Sequence, residues 1–438
     1  MNVLKFGGTS VGSPENMNVV MNLIADGHKK IVVLSAMSGT TNSLVEIAGY
    51  LQKRNKDIAL MHINKLEGKY RDVVTSLCKT PESKAKGMAV IEESFGTLRA
   101  LTSGEFSERE EKIVVAQGEL ISTGLFTILL LENGHDAKLL PALDFMVIDK
   151  DQAADLIAIS EKLKSALTAT GNATYYITQG FICRNHEGNI DNLQRGGSDY
   201  SASLIGAAIR AGEIQIWTDI DGIRNNDPRY VKETRKVERL SFREAAELAY
   251  FGAKILHPQT VMPAKVYNIP VRLKNTMNPA DSGTLITSET TGAGIKAVAA
   301  KDGITAIKIR SYRMLMAYGF MKSLFEIFER FKTPIDMIST SEVAVSLTID
   351  NTRKLNEIVK ELKEYGEVEV DSDMSIVCIV GDIQGEERGF AAKVFTALEG
   401  IPIRMISYGG SRYNISVLVP TAQKQTTLQA LSDHLLNG

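Results

Sequence analysis

Cysteine, tryptophan and net charge are all scarce in this 438-residue chain, which has 3 cysteines, 1 tryptophan and a formal charge of −2. The cysteines, Cys78, Cys183 and Cys378, have neither metal-ligand nor redox-motif spacing, so reduced, mostly buried thiols of a cytosolic protein are expected. The near-neutral charge gives no electrostatic reason to expect nucleic acid or an anionic membrane surface. No apolar run approaches the roughly 18 residues that span a bilayer, and the strand-like N-terminus predicts no signal peptide.

The N-terminal half alternates short apolar segments with amphipathic helices. Asn2–Phe6 and Ile31–Leu34 are typical of buried strands, and Ser13-Pro14 predicts the start of a helix between them. Residues 50–112 are expected to be largely helical, and the α/β alternation returns after them. This pattern predicts an open, mainly parallel sheet with helices on both faces. The Ser/Thr/Gly-rich stretch Thr287–Gly294 is the candidate linker that ends this part.

The segments after the linker contain an internal repeat. Gly319-Phe320 is followed by Pro334–Ser339 (PIDMIS), and Gly389-Phe390 is followed by Pro402–Ser407 (PIRMIS). Each copy reads as a loop, a short amphipathic helix and a strand, with a further alternating strand behind it. Two related βαβ-type modules are therefore expected.

Two glycine pairs stand before predicted helices, each beside a cation. Lys5-Phe6-Gly7-Gly8 ends the first strand, and Arg195-Gly196-Gly197-Ser198-Asp199 precedes a second helix. Paired glycines let backbone N–H groups approach a phosphate, and a helix N-terminus favours an anion. Lysine can neutralise a transferring phosphoryl group, and arginine can grip a carboxylate. Neither loop has the Walker or dinucleotide-binding spacing. Each alone is also explained as an ordinary turn, whereas the two together favour phosphoryl transfer to a small anion.

Three other segments carry candidate contacts, each with a plain structural alternative. The loop after Asp219 could hold a nucleotide through its carboxylates and Arg229, or it could be an Asp/Asn/Pro-rich turn. Lys254 could touch a phosphate or be a solvated helix residue. Glu119, on a mainly apolar helix, belongs by default on the solvent-exposed face, but a substrate amino group would suit it if it is buried. No arrangement for a covalent nucleophile is present, which fits direct phosphoryl transfer.

Four blocks together resemble the signature of aspartokinases: KFGGTS at 5–10, RGGSD at 195–199, WTDIDGIRNNDPR at 217–229 and FGAKILHP at 251–258. Their order and spacing match that family, and the C-terminal repeat resembles its paired ACT modules. The resemblance implies an amino-acid-kinase catalytic domain at 1–290, a first ACT module at 303–371 and a second at 295–302 plus 372–438. It implies transfer of phosphate from ATP to L-aspartate, with Mg²⁺ as cofactor and no residue assigned to a metal. The product, 4-phospho-L-aspartate, would enter lysine, threonine, methionine and diaminopimelate synthesis in the cytoplasm.

The same resemblance implies residue roles by position. Lys5 would stabilise the transferring phosphoryl group, and Asp199 would organise the site on the phosphate side. The substrate contacts would be Ser35, Thr41, Glu119, Arg195, Gly196, Gly197 and Ser198. The nucleotide contacts would be Lys5, Gly7, Gly8, Thr218, Asp219, Arg224, Arg229, Lys254 and Ile255, although some relatives have tyrosine at the position of Arg224.

The C-terminal half resembles the lysine-sensitive, single-function branch. Its effector contacts would be Met314, Ala317, Gly319, Phe320, Met321, Asp336, Ser341 and Glu342. That site would lie at a dimer interface, so a homodimer through the ACT modules, or a higher homo-oligomer, is expected. Lysine is the favoured inhibitor, while threonine, both amino acids together and no inhibition stay open.

Two other functions compete with this reading. A kinase of the same fold could act on glutamate, an N-acetylated amino acid or a nucleotide monophosphate, but it would be expected to lack these four blocks and this tail. A catalytically silent amino-acid sensor would be expected to have lost Lys5, Arg195 or Asp199, all of which are present.

Overall fold

The computed structural model describes residues 1–193, 196–252, 258–289, 292, 294–315, 318–383 and 389–436. The chain forms two compact units, Met1–Ile223 with Leu256–Glu289 and Arg224–Ile255 with Thr290–Gly438. Residues 224–255 thus group with the C-terminal segment, whereas the sequence predicted one catalytic domain up to residue 290. The domain bounds given above stay a prediction.

The first unit contains both strands and helices, with four successive helices between its second and third strands. Its elements are β1 (Asn2–Phe6), α1 (Pro14–Ile24), β2 (Lys30–Leu34), α2 (Thr40–Gln52), α3 (Lys56–Leu77), α4 (Pro81–Ala100), α5 (Glu108–Glu132), β3 (Ala137–Leu139), α6 (Leu156–Thr170), β4 (Tyr175–Gln179), β5 (Ile182–Arg184), β6 (Ile190–Asn192), α7 (Gly197–Ile209) and β7 (Ile214–Thr218). After β8 (Arg239–Ser241) and α8 (Phe242–Tyr250), which belong to the second unit, it continues with α9 (Pro258–Val266), β9 (Val271–Asn275) and β10 (Thr284–Thr287).

The main sheet of this unit has the strand order β3-β4-β2-β1-β7-β9-β10. All neighbouring pairs are parallel except β9 with β10, which are antiparallel. Strand β1 is central, with Lys5 in register with Val33 of β2 and Ile216 of β7. Because these strands run in the same direction, their carboxyl ends meet at one edge of the sheet, where ligands of open α/β sheets bind. The predicted mainly parallel sheet is confirmed.

Local sequence signals explain where the first helix lies. The Ser13 side chain accepts a hydrogen bond from the Asn16 amide at 3.3 Å, and Pro14 occupies the first turn, where its missing N–H has no intrahelical partner anyway. The helix then buries one stripe, Met17, Val20, Met21 and Ile24. Its start was predicted correctly because a cap and a helical stripe are both local features.

Helix α5 corrects the expectation that no segment is long and apolar enough to span a membrane. It has 25 residues, with a mean hydropathy of 1.8 over its most apolar window. It begins with a capping box between Ser107 and Glu110. Because 83% of that window is buried inside the protein, the apolar composition is that of a core helix.

The second unit contains, besides β8 and α8, a mixture of long strands and short helices. They are β11 (Gly294–Arg310), α10 (Phe320–Arg330), β12 (Ile338–Thr340), β13 (Ala344–Ile349), α11 (Leu355–Leu362), β14 (Glu367–Asp382), α12 (Phe390–Ala397), β15 (Met405–Ser407), β16 (Asn414–Pro420) and α13 (Lys424–Leu431). The strands form one antiparallel sheet in the order β12-β13-β11-β14-β16-β15.

The predicted repeat is visible in this sheet. Strands β11 and β14 each contribute one half to each copy. Thr305–Arg310 of β11 pairs with β13. Ile376–Asp382 of β14 pairs with the first half of β11, and Met374–Val380 pairs with β16. In both copies a glycine with φ of +85° precedes the helix, Gly319 before α10 and Gly389 before α12. Glycine adopts that left-handed conformation without strain, which explains why a glycine stands at this position in both copies. Each helix begins at the phenylalanine that follows.

Each copy has its own hydrophobic core. One contains Leu324 and Phe328 of α10 packed on β11 and β13, and the other contains Phe390 and Val394 of α12 packed on β14 and β16. Val231, from the segment 224–255, lies in the second core. That burial is one reason why this segment groups with the C-terminal half of the chain.

Candidate active site

The first glycine pair directly follows β1 and lies against the loop after β2. The Gly7 amide donates to the Trp217 carbonyl at 3.3 Å, and the Ser38 amide donates to the Gly8 carbonyl at 3.1 Å. A Cβ at Gly8 would approach the Ala36 carbonyl oxygen to 2.9 Å, closer than such atoms normally come. Glycine is therefore required at position 8 by the close approach of two loops at the sheet edge.

Lys5 and Asp199 form the ionic centre of this edge. The Lys5 Nζ lies 2.6 Å from Asp199 Oδ1, and the two side chains are only 10% and 20% exposed. Asp199 stands in the first turn of α7, and this helix begins after Gly196 in the left-handed conformation, with φ of +78°. A largely buried cation beside a helix N-terminus is suited to stabilising an anion.

A cavity of about 340 Å³ opens beside these loops. Six residues predicted for the site line it: Gly8, Ser35, Thr41, Glu119, Gly197 and Ser198. The sequence analysis missed the other six residues that line it, Ala36, Met37, Ser38, Gly39, Asn42 and Phe181. Phe181 has φ of +67°, which is unusual for a bulky residue, and its position just after β4 was the available signal because β4 ends at the ligand-binding edge.

Glu119 lies in the wall of this cavity and is 3% exposed, so the default placement on the solvent-exposed face of α5 is wrong. Its Oε1 accepts a hydrogen bond from the Ala36 amide at 3.2 Å, while its buried Oε2 has no hydrogen-bond partner among the described residues. Burial raises the pKa of Glu119 to about 7. A buried acceptor without a partner is unfavourable unless a donor reaches it, so this carboxylate is suited to a cationic ligand group.

Two serines connect the loops that surround Glu119. The Ser35 hydroxyl donates to the Ser198 hydroxyl at 2.9 Å, which ties the loop after β2 to the start of α7. The Ser122 hydroxyl donates to the Ser35 carbonyl at 2.9 Å, so α5 is also hydrogen-bonded to the loop after β2. Hydroxyl groups in this position offer polar contacts beside the Glu119 carboxylate.

The residues predicted for the nucleotide are divided between the two units. In the first unit, Thr218 ends β7 and its hydroxyl accepts from the Ile220 amide at 3.2 Å, with Asp219 next in the chain. In the second unit, Arg224 donates to the carbonyl and the hydroxyl of Thr234, both at 3.0 Å. Arg229 is 78% exposed and lies 2.6 Å from Asp227. The predicted contacts Arg195, Lys254 and Ile255 lie outside the described residues.

The part of the chain that the structure describes contains no group of three or more His, Cys, Asp or Glu residues that could hold a metal ion. Kinases commonly hold Mg²⁺ through one or two carboxylates together with the phosphates of the nucleotide. The Asp199 carboxylate is such a group at the sheet edge. A single carboxylate is suited to a metal ion that binds together with the nucleotide phosphates, rather than to one that is bound by the protein alone.

The predicted effector residues lie in the first repeat of the second unit. Met314, Phe320 and Met321 pack against the core of that copy. Asp336 has a buried side chain, 1% exposed, that lies 2.9 Å from Lys301. Ser341 donates its amide to the Ala344 carbonyl at 2.8 Å, and the next residue, Glu342, is exposed. Ala317 lies outside the described residues.

Comparison with known proteins agrees with these features. A model of the amino acid kinase family matches residues 1–275, and a model of the ACT domain matches residues 377–435. Lysine-sensitive aspartokinase 3 of Escherichia coli (strain K12) is 34% identical over 456 residues, which cover 99% of this chain and 98% of that protein.

Solved structures extend the comparison to the fold. The crystal structure of E. coli aspartokinase III in complex with aspartate and ADP matches with a TM-score of 0.84 and 32% identity, covering 100% of both chains. The structure of the same enzyme in complex with lysine and aspartate matches with a TM-score of 0.80 and 32% identity over 99% of both chains. The family predicted from the four sequence blocks is confirmed: this chain belongs to the aspartokinases.

Proposed function

We propose that the protein transfers the γ-phosphoryl group of ATP to the side-chain carboxylate of L-aspartate, forming ADP and 4-phospho-L-aspartate. The observation that carries this proposal is Glu119, a buried carboxylate with one oxygen unpartnered among the described residues. It lies in the wall of a cavity that Gly8 and Ser198 also line, at the sheet edge where Lys5 pairs with Asp199, the residue after Ser198. Such a carboxylate suits the ammonium group of a free amino acid. An N-acetylated amino acid has no such cation, and a nucleotide monophosphate would bring negative charge to it.

In this mechanism the protein positions the reactants and neutralises charge. Glu119 binds the substrate ammonium group, Arg195 binds the α-carboxylate, and Ser35, Thr41 and Ser198 line the pocket. The β-carboxylate oxygen attacks the γ-phosphorus while the bond to the bridging oxygen of ADP breaks. Lys5 stabilises the charge on the transferring group, and Asp199 holds Lys5 in place. Gly7, Gly8, Gly196 and Gly197 let backbone N–H groups approach the anions.

The nucleotide is proposed to contact Thr218, Asp219, Arg224, Arg229, Lys254 and Ile255, with Mg²⁺ neutralising its phosphates. The similarity to an enzyme solved with aspartate and ADP supports this part of the proposal. Residues 1–290 would then form the catalytic domain, in the cytoplasm, and catalyse the first step of aspartate-family amino acid synthesis.

Feedback inhibition by lysine is the second part of the proposal. The similarity to a lysine-sensitive aspartokinase supports it, as does the buried Asp336, whose carboxylate could receive an ammonium group. Three of the predicted effector residues, Gly319, Phe320 and Met321, lie at the start of α10. The ACT modules, 303–371 and 295–302 with 372–438, would assemble a homodimer around the effector. Inhibition would then shift the population toward a less active state.

One set of assays tests both parts. ADP release is measured with aspartate, with glutamate and without acceptor, and the acyl phosphate is trapped with hydroxylamine. Each assay is repeated with lysine, with threonine and with both. We expect aspartate-dependent turnover, an aspartyl hydroxamate and inhibition by lysine. Turnover that does not depend on aspartate would refute the first part. Insensitivity to every amino acid tested would refute only the second.

A further inference from the structure

A tyrosine hydroxyl and a threonine hydroxyl form a buried pair in the first unit. Tyr70, on α3, and Thr40, the first residue of α2, are both 0% exposed, and their hydroxyl oxygens lie 2.7 Å apart. The two residues share one hydrogen bond across 30 positions of the chain. Because a buried hydroxyl without a partner is unfavourable, this bond attaches the first turn of α2 to α3.

The first turn of α2 is also part of the wall of the candidate substrate cavity. Gly39, Thr41 and Asn42 line that cavity together with Glu119. Helix α2 begins after Gly39, which has φ of +79°, and glycine has no side chain with which to cap the helix. The position of this turn therefore depends on contacts with neighbouring elements, and the hydrogen bond of Thr40 is such a contact.

The hydroxyl pair lies close to the part of α5 that carries Glu119. A Cβ at Gly118 would lie 2.8 Å from the Ala36 Cβ and 3.3 Å from the Thr40 Cγ2, so α5 packs against the start of α2 more closely than a side chain would allow. Burial, together with the charge of Glu119, raises the pKa of Tyr70, which keeps its hydroxyl neutral. The pair thus lies where α2, α3 and α5 meet, beside two parts of the cavity wall.

We propose that Tyr70 is a positioning residue for the amino-acid substrate, because its hydrogen bond to Thr40 fixes the first turn of α2 and with it Thr41. Tyr70 is fully buried, so it acts through Thr40 and does not touch the substrate. Loss of the bond lets this turn move relative to Glu119, which weakens binding of the amino acid. The proposed phosphoryl-transfer residues belong to β1 and α7 and keep their own ion pair. The inference rests on the proposed function and adds a residue that determines the KM for aspartate but not kcat.

The test begins with Tyr70→Phe, which removes the hydroxyl and keeps the ring, whose centre lies 6.1 Å from that of Phe95. Initial rates give kcat and the KM for aspartate and for ATP, and calorimetry gives the affinity for aspartate. We expect the KM for aspartate to rise roughly three- to tenfold, the range that corresponds to the net contribution of one hydrogen bond. The kcat and the KM for ATP should stay within about twofold of the wild type, as for a lost ground-state contact.

A second variant separates positioning from stability. Tyr70→Phe leaves the buried Thr40 hydroxyl without this partner, so the urea unfolding midpoint should fall as well. Tyr70→Phe/Thr40→Val removes both hydroxyls and keeps the shape of both side chains, and replacing both partners in this way can be nearly neutral for stability. The double variant should therefore regain the midpoint of the wild type while its KM for aspartate stays raised. It alone decides the question if Tyr70→Phe does not fold.

The matched control is Tyr50→Phe, near the other end of α2. The Tyr50 hydroxyl donates to Glu46 at 3.3 Å, and its ring centre lies 5.0 Å from that of His62 on α3, so this tyrosine also joins the two helices. The control should keep the KM of the wild type for aspartate.

Three results would overturn the inference and leave the proposed function intact. They are a wild-type KM for aspartate in Tyr70→Phe, a double variant that regains both the midpoint and the KM of the wild type, and an equal rise of that KM in Tyr50→Phe. If the wild-type protein shows no turnover that depends on aspartate, the proposed function itself fails, and the inference falls with it.

Discussion

Lys5 Nζ and Asp199 Oδ1 are 2.6 Å apart and join the central strand β1 to the first turn of α7. Both side chains are largely buried, so water solvates each charge less than it would on the surface. Each charge is instead compensated by the other. The pair sets the direction of the lysine ammonium group at the sheet edge. The proposed catalysis and the local stability would therefore depend on the same contact.

Replacing either member of this pair is expected to abolish most activity without unfolding the protein. Lys5→Ala and Asp199→Ala should each lower kcat at least ~100-fold, by analogy with the loss of one stabilising donor at a developing charge. Each single variant leaves one largely buried charge uncompensated. Urea unfolding should therefore show a smaller loss of stability for the double variant than for the sum of the single ones. Near-normal turnover in both single variants would show that the phosphoryl site lies elsewhere.

Gly8→Ala is expected to disturb the cavity because its new methyl group would meet the Ala36 carbonyl oxygen at 2.9 Å. Forcing the two loops apart should destabilise the protein by about 1–3 kcal/mol and lower kcat/KM for aspartate. The control is Gly49→Ala inside α2, where an added Cβ meets nothing within 4 Å. That change should raise stability by roughly 0.5–1 kcal/mol, because alanine favours the helix, and leave kcat/KM unchanged. Equal kinetics for the two variants would contradict the tight approach at Gly8.

The features that were predicted from the sequence are those set by neighbouring residues. The start of α1 follows from Ser13 and Pro14, and the repeat follows from two copies of one short pattern. The burial of Glu119 was not predictable in this way, because it depends on the Ala36 amide, 83 positions away in the chain. Phe181 was missed because its role in the cavity comes from a backbone conformation that the residue type disfavours.

The grouping of residues 224–255 with the C-terminal half has a similar explanation. In the sequence, nothing distinguishes Val231 from the apolar residues of the preceding α/β segment. In the structure it packs in the core formed by β14, β16 and α12. Asn226 donates to the Leu428 carbonyl at 3.1 Å, a contact between residues 202 positions apart. Contacts of this kind depend on the tertiary fold, and they leave no local pattern in the sequence from which they could be predicted.

A substitution at Arg229 can distinguish the two interpretations of the loop after β7, which either contacts the nucleotide or is an ordinary turn. The Arg229 side chain is 78% exposed and paired with Asp227, and its guanidinium carbon lies 5.7 Å from the centre of the Tyr230 ring. Because the ion pair is exposed, it adds at most about 1 kcal/mol to stability. If Arg229 binds the nucleotide, Arg229→Ala should raise the KM for ATP about tenfold, equivalent to ~1.4 kcal/mol, with little change in the unfolding midpoint. Arg353→Ala, at another exposed arginine of this unit, should change neither quantity. An unchanged KM for ATP in Arg229→Ala would favour the turn.

Glu119 gives the protein a pH dependence whose direction follows from its burial. The pKa is raised from 4.5 to about 7 by desolvation, so the folded protein retains a proton that the unfolded chain releases. The stability from this proton is present in full below pH 4.5 and is lost as the pH rises through 7. Glu119→Gln should therefore be more stable than the wild type at pH 8, by roughly 3 kcal/mol, and similar to it at pH 4. Urea unfolding at the two pH values measures the difference.

The same ionisation should control binding of aspartate. Only the charged form of Glu119 attracts an ammonium group, so kcat/KM for aspartate should rise about tenfold per pH unit below 7 and level off above it. Glu119→Gln should lose this slope and most of the affinity for aspartate. Glu108→Gln, whose side chain on the first turn of the same helix is 80% exposed, should retain both. A slope that persists in Glu119→Gln would assign the titration to another group and remove Glu119 from the proposed contact with the substrate.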